Sequence, residues 1–166
     1  DYMDDFEARA SHGELLSADS IPTDTTQAYK TLKGRTVYGG GGVVPDIFVP
    51  TDTTEGSNYL SELFFTGTLN QFAFDIADRD RTVLKTRYGT AERFAEQFKV
   101  GQDLFNELER YAKGEGIIAR PGELDRSRDL IATRIKAGIA RNVWGNEGYY
   151  RILLEKDPAF QRATEV

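Results

Sequence analysis

Apolar residues after position 56 recur at intervals of three and four, which is the period of an amphipathic helix. A first helix is predicted to begin at a cap formed by Ser57 or Asn58 and to end at Gly67. The spacing of Thr68 and Gln71 is that of a capping box and predicts the start of a second helix. The predicted buried faces are Tyr59, Leu60, Leu63 and Phe64 in the first helix and Leu69, Phe72, Ala73 and Ile76 in the second.

Helix signals continue to the end of the chain. Thr90 can cap a third helix, residues 102–113 have the pattern of a fourth, and Pro121 fits the first turn of a longer helix that Gly145 ends. A short helix over GYYRILL and a last one opened by Asp157 and Pro158 complete the pattern. The predicted inward positions are Phe94, Ala95, Phe98, Leu104, Phe105, Leu108, Tyr111, Ile131, Ile135, Ile139 and Val143.

The first 50 residues have a different pattern. Residues 2–10 have the spacing of a short amphipathic helix, and residues 11–26 are polar and predict a loop. The runs YKTL, RTVY and DIFV are rich in β-branched and aromatic residues, and they predict two or three short strands. Such strands are marginal alone in water, so we expect them to complete a larger sheet. The predicted fold class is α+β, predominantly α, with residues 1–55 and 56–166 as separate parts.

Composition narrows the function classes. The 166 residues are 39% hydrophobic and 29% charged, as in soluble globular proteins, and 27 acidic against 21 basic residues give a formal charge of −6. This balance argues against nucleic acid as a partner, and no apolar run is long enough to predict a membrane span. The absence of cysteine excludes disulfides, thiolate metal sites and cysteine nucleophiles. A start at Asp1-Tyr2-Met3 is that expected of an internal fragment of a longer protein.

Four consecutive glycines, 39–42, are the most conspicuous local feature. A phosphate-binding loop requires a following helix N-terminus, and the Walker type also requires Lys-Ser/Thr, whereas VVPD follows here and predicts a strand. We therefore expect no nucleotide or other cofactor, and we interpret the glycines as a junction between strands.

Other candidate groups have structural interpretations. His12, the single histidine, cannot form a histidine-rich zinc site and is expected to be a loop or cap residue. Residues 78–81, DRDR, lack the spacing of a calcium loop and are expected at a solvated helix end. The pairs Asp4-Asp5 and Glu107/Glu109 have no evident difference in environment to separate an acid from a base. Arg35 is expected to bind a carboxylate or a backbone carbonyl.

The string YKTLKGRTVYGGGGVVPDIFVP resembles a segment of the C-terminal processing peptidases, also called tail-specific proteases. The family pattern has Gly-Arg, then Gly-x-Gly, then Pro-Asp followed by hydrophobic-x-Val. HGELLSADSI, FAFDIADRDR and IKAGIAR are similar to a branch of that family with a helical extension. The matching positions are Tyr29, Thr31, Gly34, Arg35, Val37, Gly40, Gly42, Val43, Pro45, Asp46, Ile47 and Val49.

The resemblance implies that this chain is a C-terminal, non-catalytic part of a serine endopeptidase. In that family a serine nucleophile and a lysine base precede the Gly-Arg and Pro-Asp strands, so no residue of this chain is expected to be catalytic, to bind a cofactor or to bind a metal. The implied partners are the upstream catalytic domain and a protein or peptide substrate. The exposed edges and apolar faces expected of the strands add a second copy of the chain as a possible partner. The implied location is the cell envelope or periplasm, in soluble form. A stand-alone helical interaction module without enzymatic activity remains the alternative, and a small hydrolase built around His12 is a third possibility.

Overall fold

The computed structural model describes residues 2–22, 26–39 and 45–166. Its fold is α+β and mainly α: 63% of the chain is helical, and the part that is described has nine helices and one antiparallel pair of strands. Two compact units are present, Asp1–Thr53 and Thr54–Val166. The elements are α1 (Tyr2–Ser11), β1 (Ala28–Lys30), β2 (Thr36–Tyr38), α2 (Asn58–Phe65), α3 (Thr68–Tyr88), α4 (Ala91–Gln97), α5 (Gln102–Gly114), α6 (Glu123–Arg126), α7 (Arg128–Trp144), α8 (Asn146–Glu155) and α9 (Pro158–Thr164), with a 3-10 turn at Ala18–Ser20.

The second unit is built around the crossing of α3 and α7. Gly138 of α7 lies so close to α3 that a Cβ atom there would be 2.6 Å from the Cβ of Ala73. Such a contact is closer than side-chain carbons tolerate, so the crossing depends on a glycine. The main core side chains are Leu63 of α2, Leu69, Phe72 and Ile76 of α3, Phe94 of α4, Phe105 and Leu108 of α5, Ile131, Ile135 and Ile139 of α7, and Ile152 of α8.

Several predicted helix ends are confirmed. The Ser57 side chain accepts a hydrogen bond from the Leu60 amide at 3.1 Å, and Thr90 accepts one from the Arg93 amide at 3.3 Å. Asp157 caps α9 by accepting from the Phe160 amide at 2.9 Å, with Pro158 at the first helical position. Side-chain oxygens at these positions satisfy amides that have no partner within the helix.

The predicted capping box at Thr68 is wrong. Thr68 is the first residue of α3, and the cap is Gly67 at a φ of +75°. The Thr66 hydroxyl lies 2.8 Å from the Thr68 hydroxyl, which therefore has a side-chain partner other than the amide of Gln71. Helix α3 then continues to Tyr88 and ends at Gly89, so residues 78–81 lie within a helix and not at its end.

The longer helix predicted from Pro121 is broken. A turn at Pro121 and Gly122 precedes the four-residue α6, and α7 begins after Ser127. Ser127 is completely buried, and its hydroxyl donates to the Glu55 carbonyl at 2.6 Å and lies 2.7 Å from the Ser57 hydroxyl. This contact fixes the chain before α2 against the start of α7 and explains the interruption.

The first unit has little core among its described side chains. Every buried hydrophobic residue that the structure describes lies between Tyr59 and Ile152 of the second unit, whereas the first unit has only Glu14 as a buried residue. Glu14 accepts a hydrogen bond from the Arg9 Nε atom at 2.9 Å. The Thr51 amide donates to the Leu15 carbonyl at 2.9 Å and joins the last residues of this unit to the segment after α1.

Candidate functional site

The candidate site is the two-stranded hairpin that carries the peptidase-like string. β1 and β2 are antiparallel, with Ala28 opposite Tyr38, Tyr29 opposite Val37, and Lys30 opposite Thr36. The Gly39 amide extends the pairing by donating to the Gln27 carbonyl at 2.8 Å. Both runs, YKTL and RTVY, contain aromatic and β-branched residues, which favour strands.

A tight turn joins the two strands. The Gly34 amide donates to the Thr31 carbonyl at 2.8 Å, and the Thr31 amide donates to the Arg35 carbonyl at 2.9 Å. The Thr31 hydroxyl accepts from the Arg35 amide at 3.1 Å. Gly34 has a φ of +81°, a conformation that a residue with a side chain rarely adopts. The Gly-Arg step of the string therefore forms the return into β2.

Arg35 binds a carboxylate, which is one of the two partners that the sequence predicted for it. Its Nη1 atom donates to Oδ1 of Asp46 at 2.8 Å, which joins the Gly-Arg and Pro-Asp steps of the string across 11 residues. Both side chains are largely exposed, at 61% for Arg35 and 72% for Asp46, so solvent weakens this pair. The specific partner and the role of Thr31 were not identified from the sequence. A hydroxyl residue three positions before Gly34 could have indicated the role of Thr31, whereas the pairing with Asp46 spans 11 residues and has no local signal.

The strand predicted for DIFV is not formed. Asp46 and Ile47 form a bend, and Phe48 and Val49 belong to no regular element. A strand requires a neighbour to satisfy its amides and carbonyls, and no described segment of the chain supplies one beside this run. Of the predicted glycine junction, Gly39 follows β2, whereas positions 40–42 lie outside the described residues.

The hairpin exposes apolar side chains and strand edges. Tyr29, Leu32, Tyr38 and Ile47 are all exposed, and Leu32 at the turn is entirely so. Within the described residues the sheet has two strands, which leaves the outer edge of each without a strand neighbour. Open edges and apolar faces are the features that recruit additional strands.

The remaining sequence candidates are not brought together. His12 is exposed at the end of α1, and its side chain has no hydrogen bond to a described serine or aspartate. Glu107 accepts a hydrogen bond from Arg79 at 2.6 Å. The charge of Glu109 instead contributes to raising the pKa of the Tyr59 phenol. Asp4 is exposed, and the side chain of Asp5 lies outside the described part.

No group of three or more metal-ligating side chains occurs among the residues that the structure describes. In the same part of the chain, no helix combines the length and the apolar character required to cross a membrane. The second unit instead exposes two aromatic rings of α2: Phe65 is 84% exposed, and Phe64 lies beside it and under the Arg134 guanidinium, 5.5 Å from its ring centre.

Comparison with known protein families gives a match in the helical unit. The sequence profile of a family of unknown function (DUF8443) matches residues 59–145, which lie within the second unit and extend from α2 to the end of α7. No curated protein and no solved structure matches the chain.

Proposed function

The chain belongs to the family of unknown function DUF8443, and we propose that it is the C-terminal part of a C-terminal processing serine endopeptidase. In this proposal residues 28–50 complete the sheet of a catalytic domain that precedes them, and residues 56–166 form a helical module that stabilises that domain or helps to place substrate. The parent enzyme hydrolyses peptide bonds near protein C-termini with a serine nucleophile and a lysine base, both upstream. The parent is expected in the cell envelope or periplasm.

The observation that carries the proposal is the incomplete state of the hairpin. Its string matches the peptidase pattern at both the Gly-Arg and the Pro-Asp steps, and these two steps pair through Arg35 and Asp46. Its strands have outer edges without strand neighbours in the described structure. A two-stranded sheet with exposed faces gains stability when it joins a larger sheet, because the added strands bury its apolar side chains and bind its free amides.

A second candidate is a helical interaction module without enzymatic activity. It is favoured by the position of the family profile, which lies entirely within the second unit. The exposed Phe64 and Phe65 are typical anchors for a protein partner. For this candidate the hairpin is an appendage, and its sequence is unimportant for the partner that binds the helices.

The test is reconstitution of peptidase activity. The upstream region of the complete reading frame is assayed on a peptide with a free apolar C-terminus, alone and with this chain added in trans. We expect little cleavage by either piece and partial recovery in the mixture. Val37→Pro, which removes an amide from β2, should abolish recovery, whereas Val83→Ala, at an exposed position of α3, should leave it intact. Equal recovery with both variants would contradict a role for the hairpin.

Activity of the complete protein is the reference for this experiment. A complete protein that cleaves no peptide with a free C-terminus, although it is folded, would overturn the proposal and favour the interaction module. An active complete protein whose activity is unaffected by deletion of residues 54–166 would retain the peptidase but remove the proposed role of the helical module.

A further inference from the structure

A basic cleft lies within the helical unit. It is bounded by the segment between α4 and α5 and by helices α7 and α8, and its volume is about 330 Å³. Its apolar wall includes Phe98, Val100, Ala132 and Ile152. A volume of this size is at the lower end of the range of small-molecule sites, which typically combine apolar walls with a few placed polar groups.

Three lysines from three segments line this cleft. Lys99 comes from the α4–α5 connection, Lys136 from α7, and Lys156 follows α8. Asp129 and Glu155 also line it, so the ionisable groups of the cleft sum to 3 − 2 = +1 in a chain whose formal charge is −6. The positive balance is therefore local and opposite to that of the whole molecule.

The lysines of the cleft are short of partners. The Lys136 ammonium donates one hydrogen bond, to the Ala95 carbonyl near the end of α4, which leaves two of its three N–H groups for another acceptor. The side chains of Lys99 and Lys156 form no ion pair or hydrogen bond with a described residue. Arginines elsewhere, such as Arg79 and Arg151, have carboxylate partners within 3.0 Å.

The pKa of Lys136 also supports an anion-binding role for the cleft. Burial lowers the pKa of its ammonium, the charge of Glu155 opposes this shift, and the charges of Lys156 and Lys99 lower the pKa further. The fold thus holds an ammonium group in partly desolvated surroundings beside two like charges. An anion bound in the cleft would relieve both the repulsion and the missing hydrogen bonds.

We propose that this cleft binds an organic carboxylate with a short apolar tail: the carboxylate contacts Lys136 and Thr133, with Lys99 and Lys156 at the rim, and the tail contacts Phe98 and Ile152. Thr133 lines the cleft one turn before Lys136 on α7, and its hydroxyl is the neutral donor in this proposal. Inorganic phosphate would satisfy the lysines but not the apolar wall. This assignment is independent of the peptidase proposal, although the free terminus of a peptide is one source of such a ligand.

The experiment is a titration of the full chain, followed by the amide resonances of the residues that line the cleft. The probes are octanoate, an acetylated tripeptide with a free C-terminal leucine, the same peptide amidated, octylamine and inorganic phosphate. We expect saturable shifts around Thr133 and Ile152 with octanoate, with the free peptide or with both. The amidated peptide and octylamine should bind at least about tenfold more weakly, because each lacks the charge-assisted hydrogen bonds of the carboxylate.

The variants separate a binding role from a structural one. Lys136→Gln keeps an N–H for the Ala95 carbonyl but loses the charge, so affinity should fall about tenfold, while Lys136→Arg should restore part of it. The pair Lys99→Gln and Lys156→Gln changes exposed side chains and tests the rim without a risk to the core. Lys113→Gln, at an exposed lysine near the end of α5, is the matched control and should bind as the parent does.

Comparison of the probes also identifies the source of the carboxylate. Binding of the free peptide but not octanoate indicates a peptide terminus, and the converse indicates a free fatty carboxylate. Equal binding of the amidated peptide or octylamine, binding of phosphate alone, or affinities unchanged in the folded Lys136→Gln and Lys99/Lys156 variants would each overturn the assignment. Absence of saturable shifts with both carboxylates would do the same.

Discussion

The two units of this chain differ in what holds them together. The second unit buries aromatic and aliphatic side chains from six helices, with Phe72, Phe94 and Ile135 almost completely inaccessible to solvent. The first unit holds the most specific string of the sequence, yet its described side chains include only Glu14 as a buried residue. The helical unit therefore has the means to fold alone, whereas the hairpin unit has local hydrogen bonds and an exposed ion pair.

The segment with the most specific sequence pattern and the segment with the buried core are therefore different parts of the molecule. The string resembles the pattern of the C-terminal processing peptidases in its glycines, arginine and aspartate, yet none of its described side chains is buried in a core. Four of its described apolar residues, Tyr29, Leu32, Tyr38 and Ile47, are exposed. The proposed larger sheet supplies what the described unit lacks, which is a surface that covers these residues.

The largest effect is expected from separating the units. Residues 54–166 produced alone should keep their helical circular dichroism and unfold cooperatively, because the core is contained within them. Residues 1–53 alone should lack a cooperative transition, since ten-residue helices and two-stranded sheets are marginal in water. A cooperative melting transition of residues 1–53 would show that the comparison is wrong.

The next largest effect is expected in the core. Leu108→Ala removes a completely buried side chain and should lower the free energy of unfolding by about 2–5 kcal/mol, measured by urea denaturation. Leu32→Ala, the same substitution at a fully exposed position of the hairpin, should change it by less than about 0.5 kcal/mol. Similar losses for the two variants would mean that the hairpin unit is covered in solution.

Tyr59 should make the stability of the helical unit depend on alkaline pH. Burial, with a smaller contribution from the charge of Glu109, raises the pKa of its phenol to about 12 from 10.0. A raised folded-state pKa means that the stabilising contribution is complete below pH 10 and is lost as the pH rises to about 12. This loss amounts to roughly 2–3 kcal/mol.

Unfolding of Tyr59→Phe followed from pH 9 to about 12 should lack this component of the alkaline loss. Tyr150→Phe, at an exposed position, is the matched control and should keep it, because Tyr59 is retained. If the free energy of unfolding of Tyr59→Phe falls at alkaline pH as much as that of the parent, the raised pKa of Tyr59 is not its cause.

The smallest effect is expected at the ion pair of the hairpin. Arg35→Ala should cost at most about 1 kcal/mol in this chain, because both partners are largely exposed. Asp46→Asn and the double variant complete a thermodynamic cycle, in which the coupling energy should lie in the same range. A coupling above about 2 kcal/mol would be too large for an exposed pair and would indicate a more enclosed hairpin than the structure has.

Sequence reasoning was most successful where one residue determines a helix end. Ser57, Thr90 and Asp157 each cap a helix with a side-chain oxygen, and the glycine at position 145 ends α7. These signals act within a few residues, so they can be recognised without tertiary information. The fold class was predicted for the same reason, because the helical period extends through most of the chain.

The failures depend on contacts between distant residues. Buried Leu84 and Tyr88 extend α3 past the charged residues 78–81, which the sequence indicated as a helix end. The interruption before α7 depends on Ser127, whose partners are about 70 positions earlier in the chain. The lysine cleft likewise draws on three separate segments, which have no common spacing in the sequence.

The most direct test of the account is amide hydrogen exchange over the hairpin, in this chain alone and in the complete protein. We predict rapid exchange of residues 28–38 in the isolated chain and at least about 100-fold slower exchange in the complete protein, because a catalytic sheet then binds the open edges. The buried amides of α3 and α7 should exchange equally slowly in both. Equal and rapid exchange of residues 28–38 in both proteins would contradict the proposal that the hairpin completes a larger sheet.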